Sequence, residues 1–277
     1  MTDTLILPAA VPVFPLSIFE PVHVGIDEYG TQAHVDLAER NMLLGGEPGG
    51  GKSNAINLIT AHGALSGDCR LILIDGKQVE LGLWRHCADE FVGPSMTDAL
   101  TCMRWLQQDL MNPRYDRLLA AGLRKITKTT GEPVYLVVID EYAYFSATVG
   151  DKKQQTDFAA LTRDLVARGR AAGVIVILAT QRPSHQVIDP SLRDLFGYRW
   201  AFRCTTDSSS DTVLGHGWAS AGYTAAAIDP LARGVSWLLA ETGVPRRVKA
   251  AYLTDSDIKH LAAYAAQLRR KDRPHAA

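Results

Sequence analysis

The stretch "NMLLGGEPGGGKS", residues 41–53, runs an apolar segment into a glycine cluster and closes on a lysine and a hydroxyl. From Gly46 to Ser53 it satisfies G-x-x-x-x-G-K-[ST]. Its flanks predict a strand over 41–46 and a helix from about Lys52, so the glycines join a strand end to a helix start. In that position they let the backbone turn its N–H groups inward, and the helix N-terminus adds positive potential. A phosphate chain is what such a cradle holds, where a bare glycine turn would bind nothing. Gly46, Glu47, Pro48, Gly49, Gly50, Gly51, Lys52, Ser53 and Asn54 form the candidate nucleotide-binding set. Lys52 is placed to reach the β- and γ-phosphates, and the Ser53 hydroxyl to ligate Mg²⁺.

Outward from the loop, β-rich runs alternate with helical stretches. Strands are predicted over 70–75, 134–140, 174–180 and 198–204 beside the first, the pattern of an α/β chain whose mainly parallel sheet is covered on both faces. Helices are expected over 97–122, broken or kinked at Pro113, over 156–172, and over 255–270. "VHVGID" and "HVDLAE" flank the turn signal "EYGTQ" as one hairpin, and "VSWLLA" with "RRVKAAYL" reads as another. With 277 residues and 47% hydrophobic content the chain can bury one large core, which argues for one domain. Cys69, Cys87, Cys102 and Cys204 are scattered without a CxxC pair, as reduced thiols of a cytoplasmic protein would be. The opening "LILPAAVPVFPL" lacks a basic flank and carries Pro8, Pro12 and Pro15, which fits neither a signal peptide nor a spanning helix. The 29 Lys and Arg are balanced by 30 Asp and Glu, so any nucleic-acid contact must be local.

A second motif is "YLVVIDEYA", residues 135–143. An apolar run ending in two adjacent carboxylates gives each a different job. Asp140 can hold the Mg²⁺ shell, directly or through water, while Glu141 can orient and activate a water for in-line attack on a γ-phosphate. A water-activating base points to hydrolysis, and the lack of an NKxD-like segment favours ATP over GTP. The run "VIVILATQRPS", residues 174–184, then stops on Gln181. If it lies beside the Asp140 strand, Gln181 meets the same phosphates and can sense them; capping a buried strand end is the other reading of that amide.

Three further stretches bring a family resemblance. "GRAAGVIVILATQRPS" (169–184), "LILIDGKQVELGLW" (71–84) and "NPRYDRLLAAGLRKI" (112–126) resemble the FtsK/SpoIIIE DNA translocases, of the RecA-like P-loop NTPase class. The layout from "VGIDEYG" to "GGEPGGGKS", with "FGYRWAFRCTTDSSSDTVLG" later, is most similar to conjugative-transfer proteins of actinomycete plasmids and integrative elements. The resemblance implies a homo-hexameric ring that pulls double-stranded DNA through its channel by hydrolysing ATP between subunits. It implies a catalytic set of Lys52, Glu141, Gln181 and Arg170, with Arg170 acting on the neighbour's ATP and Arg168 as second choice. It also implies DNA contacts at Arg182 and Arg193. Where the family often carries Ser-Ser-Lys, this chain has "TTD", with Asp207 in place of a lysine.

The expected organisation is an N-terminal extended linker over 1–21, the ATPase domain over 22–258, and a C-terminal helix and basic tail over 259–277. No membrane helix precedes the motor in the sequence, so a cytoplasmic protein is expected, with any membrane placement supplied by a partner protein. Two other functions fit the same residues: a protein-secretion ATPase of this superfamily, and a non-hydrolysing ATP-dependent adaptor, against which Glu141 argues.

Overall fold

The computed structural model describes residues 13–241 and 243–272. Among these, β1 (Val22–Asp27), β2 (Gln32–Val35), β3 (Met42–Gly45), β4 (Cys69–Asp75), β5 (Glu90–Val92), β6 (Val134–Asp140), β7 (Val174–Thr180), β8 (Tyr198–Phe202), β9 (Val235–Ala240) and β10 (Arg246–Ala250) join in one sheet. Their spatial order is β2-β1-β10-β9-β8-β3-β7-β6-β4-β5. The helices are α1 (Lys52–Leu65), α2 (Met96–Trp105), α3 (Asn112–Ala120), α4 (Lys152–Arg168), α5 (Pro190–Arg193), α6 (Asp207–Leu214) and α7 (Asp255–Asp272).

From β8 to β5 the strands run parallel, with β3 between β7 and β8 and β7 between β3 and β6. Every residue of β7 is buried, as expected of a strand covered on both faces. Alternation divides the side chains of β6: Leu136 and Val138 join one apolar cluster with Ile56 and Ile59 of α1, and Val137 and Ile139 join the other with Met103 of α2 and Leu165 of α4. The two clusters are the two faces of the sheet.

Both expected hairpins are present, and they extend the main sheet: β9 pairs antiparallel with β8, then β10 with β9, and β1 with β10. The three-residue β5 was not expected from the sequence. Helix α4 starts at Lys152, earlier than the apolar spacing implied, because Asp151 and Gln154 close a capping box. The kink at Pro113 is a wide turn over Leu106–Met111, in which Asn112 N–H donates to the Gln107 carbonyl. Proline has no N–H to offer the helical ladder, and an i→i−5 turn just before it absorbs the mismatch.

Two expected boundaries move. Residues 1–12 lie outside the described residues, but within the supposed linker Ile18 is fully buried, and the Ser17 hydroxyl and Ile18 N–H both donate to Asp68, at 2.5 and 2.8 Å. At the other end, Arg269 is no solvated tail residue. It is 4% exposed and donates to the carbonyls of Gly63 and Ala64 at the end of α1 and to Asp89. A guanidinium satisfies several C-terminal helix carbonyls at once, which locks α7 onto α1. The rest of the tail, 273–277, lies outside the described residues. Among the described residues no helix is long and apolar enough to cross a membrane.

Candidate nucleotide site

The glycine loop leaves β3 and enters α1 under tight backbone constraint. Gly51 caps α1 with φ 113°, and a Cβ there would stand 2.7 Å from the Gly234 Cα. Only glycine meets both demands. At Gly46 a Cβ would come within 2.7 Å of the Phe202 Cβ. The loop is tied down by Glu47 N–H donating to the Arg203 carbonyl at 2.9 Å, by the Arg203–Glu47 ion pair at 2.9 Å, and by Gly234 N–H donating to the Gly50 carbonyl at 2.9 Å. The N–H groups of Lys52, Ser53 and Asn54 fall in the first turn of α1, ahead of the first helical bond at Ala55. They are free for an anion. The Asn54 side chain is already engaged: its amide donates to the Ala251 carbonyl, and its Oδ1 accepts from Leu253 N–H at 2.8 Å.

Lys52 Nζ lies 3.2 Å from Asp140 Oδ1, with the two side chains 2% and 0% exposed. The other oxygen, Asp140 Oδ2, is buried and has no hydrogen-bond partner among the described residues. Such an orphan acceptor beside a phosphate cradle suits a hard cation or its water shell. Ser53 and Asp140 would therefore hold Mg²⁺ together with phosphate oxygens. No group of three or more His, Cys, Asp or Glu among the described residues is placed to hold a metal alone.

Glu141 has φ 56°, a left-handed conformation that costs a non-glycine residue on the order of 1–3 kcal/mol. The turn ends β6 and brings the carboxylate to the end of β7. There the Thr180 hydroxyl donates to Glu141 Oε1 at 3.1 Å, and Gln181 N–H donates to both oxygens at 3.3 and 3.2 Å. The same Thr180 hydroxyl accepts from Arg182 N–H at 3.2 Å, and Lys77 Nζ stands 3.8 Å from Glu141. Thr180 and Lys77 are contacts the sequence reading missed. Thr180 was hidden as the last letter of an apolar strand, whereas Lys77 had a signal in "DGKQVE". Gln181 lines the same cavity as Lys52 and Ser53. Its backbone N–H, not its amide, meets the carboxylate.

The remaining candidates lie apart. Arg170 precedes β7 and Gln181 follows it, so the length of the strand, about 23 Å, separates them. Arg170 is exposed and only loosely paired, 4.0 Å from Glu241, whereas Arg168 is held bidentately by Asp164 at 2.6 and 2.5 Å. Arg182 is exposed. Arg193, expected to face DNA, is instead 6% exposed and donates to Asp194 and to the Asp211 carbonyl. Its charge is consumed inside the chain, which corrects the expectation. Asp207 lies in the first turn of α6 and accepts from the Thr224 hydroxyl, favourable to the helix dipole.

The FtsK/SpoIIIE family model matches residues 14–134. DNA translocase FtsK of Rhizobium meliloti is 29% identical over 280 residues, covering 85% of this chain and 30% of that protein. DNA translocase FtsK of Shewanella oneidensis is 30% identical over 280 residues, covering 87% and 29%. Over residues 14–134 the chain is similar to the FtsK/SpoIIIE family. It spans less than a third of the length of these FtsK relatives. Among solved structures, the pCW3 conjugation coupling protein TcpA, in monomer form with ATPγS, superposes with a TM-score of 0.77 at 22% identity, covering 95% of this chain and 75% of that one. EssC, ATPases 2 and 3, from Geobacillus thermodenitrificans gives 0.74 at 13% identity, covering 98% and 53%. These likenesses establish the α/β P-loop ATPase fold for this chain.

Proposed function

We propose that this chain hydrolyses ATP with Mg²⁺ and uses the energy to move double-stranded DNA through a homo-oligomeric ring, in conjugative plasmid or integrative-element transfer. The observation that carries the ATPase reading is the buried Lys52–Asp140 contact at 3.2 Å with Asp140 Oδ2 left over. It joins a phosphate-facing cation to a carboxylate with spare acceptor capacity. The free N–H groups at the start of α1 and the Lys52 ammonium bind the β- and γ-phosphates. Ser53 and Asp140 would hold Mg²⁺, which when bound would supply charge neutralisation on the phosphate oxygens. Glu141 accepts a proton from, and orients, the attacking water once it turns from Gln181 N–H toward the phosphate. Gln181 registers loss of the γ-phosphate, and Arg182, the next residue, is exposed and suited to DNA phosphates.

Arg170 cannot reach its own phosphate loop from the far end of β7, so its target is a neighbour's ATP, where a guanidinium stabilises charge developing on the γ-phosphoryl group. The DNA substrate is supported by the DNA translocase relatives, and the conjugative setting by the motif layout of the sequence. The deciding experiment is ATP turnover with and without long double-stranded DNA. A DNA motor is stimulated; turnover that ignores DNA but rises with a polypeptide cargo would place the chain with the secretion ATPases instead.

A further inference from the structure

The antiparallel extension of the sheet supplies one wall of the nucleotide cavity, and that wall has no role in the chemistry above. The cavity, about 400 Å³, is lined by Gln181 and Lys52 on one side and by Arg233, Lys249 and Tyr252 on the other. Strand order explains the arrangement. Glu141 and Gln181 follow β6 and β7, on one side of β3, while β8, β9 and β10 lie on its other side. Because β10 runs in the same direction as β3, Tyr252, just past its end, sits at the same edge of the sheet as the phosphate loop. At strand spacing, β10 is about 14 Å from β3.

We propose that the base of the bound nucleoside triphosphate stacks on the Tyr252 ring. This rests on the phosphate reading of the loop given above. With the γ-phosphate end directed at Asp140 and Gln181, the ribose and base must leave the loop on the opposite side, toward β9 and β10. Tyr252 is there and is 77% exposed, so core packing does not account for it. Its backbone is nevertheless fixed to the loop: Asn54 accepts from Leu253 N–H and donates to the Ala251 carbonyl, holding the residues on both sides of Tyr252. Gly234 ties the same wall to the loop through the Gly50 carbonyl, and to β10 through Ala250 N–H at 2.9 Å. With its backbone already fixed, the residue has only side-chain rotation left to lose when a base covers the ring. Arg233 is exposed and has no ion pair among the described residues, adding a cation suited to the α-phosphate.

The test is calorimetric titration of the full chain with ATP, GTP and inorganic triphosphate, using wild type, Tyr252→Ala, Tyr252→Phe and Lys52→Ala. Stacking uses the face of the base and not its edge, so Tyr252→Ala should weaken ATP and GTP alike, by about 5- to 100-fold, and leave inorganic triphosphate unchanged. Tyr252→Phe should bind as wild type. Equal ATP affinity in wild type and Tyr252→Ala, with Lys52→Ala defective, would overturn the stacking role alone. Lys52→Ala binding ATP and inorganic triphosphate as wild type would overturn the phosphate reading beneath it. Since the ring is exposed, Tyr252→Ala should fold. As an independent check, Tyr252→Trp should show quenching by ATP beyond that of wild type and none with inorganic triphosphate.

Discussion

Lys52→Ala should damage the fold as well as nucleotide binding, because the lysine sits against Asp140 at 3.2 Å with both side chains out of water. Removing one partner of a buried pair leaves the other charge uncompensated, at a cost of about 3–5 kcal/mol. For a chain of this size a melting temperature falls by roughly 2–4 °C per kcal/mol, so the variant should melt about 6–20 °C below wild type without nucleotide. Lys52→Met combined with Asp140→Asn should recover most of the loss, since the pair is then replaced and not broken. Mg²⁺ should raise the melting point of Lys52→Ala more than that of wild type, as a cation meets the stranded carboxylate. The assay is differential scanning calorimetry of the nucleotide-free protein, with and without Mg²⁺. If Lys52→Ala melts within about 2 °C of wild type, the pair is not the buried, uncompensated unit described and the argument for a preformed site fails.

Glu141→Gln should keep ATP bound while turnover falls by about 10²–10⁴-fold, checked by single-turnover kinetics beside equilibrium binding. Arg170→Ala should bind ATP but hydrolyse poorly, and mixing it with inactive Lys52→Ala should restore partial activity, because a mixed interface can join an intact loop to an intact arginine; no recovery in demonstrated mixed rings would remove the trans role. Burial holds the His62 imidazole below its ordinary range, so the unfolded chain takes up a proton from about pH 6.5 downward that the folded chain resists. Stability is fully present above that pH and is lost as pH falls; a denaturant series from pH 7.5 to 5.5 should show a smaller loss in His62→Gln.

Much of this arrangement was legible because its signals are local. Fully apolar runs ending on Gly45, Asp140 and Thr180 marked strands whose ends carry chemistry, and the glycine loop needed no tertiary information to be recognised. What escaped depends on distant partners. Nothing in "VSWLLA" says that it pairs with β8, so the extension that walls the base side of the cavity looked like a separate hairpin. Arg269 and Arg193 look alike in sequence to any solvated cation, and only the carbonyls of α1 and the Asp194 carboxylate show that they are spent. The thiols illustrate the opposite case. Scattered spacing predicted reduced thiols without a CxxC pair; that burial pushes Cys69, Cys102 and Cys204 up to about 12, well away from thiolate chemistry, is visible only in the fold.

Movement along DNA is read by displacement of a labelled third strand from a triplex on long double-stranded DNA. Wild-type protein should release the third strand only when ATP and Mg²⁺ are present, with Glu141→Gln bound to DNA but releasing none. Hydrolysis of ATP at a DNA-stimulated rate with no release from triplexes approached from either end would contradict a translocating motor.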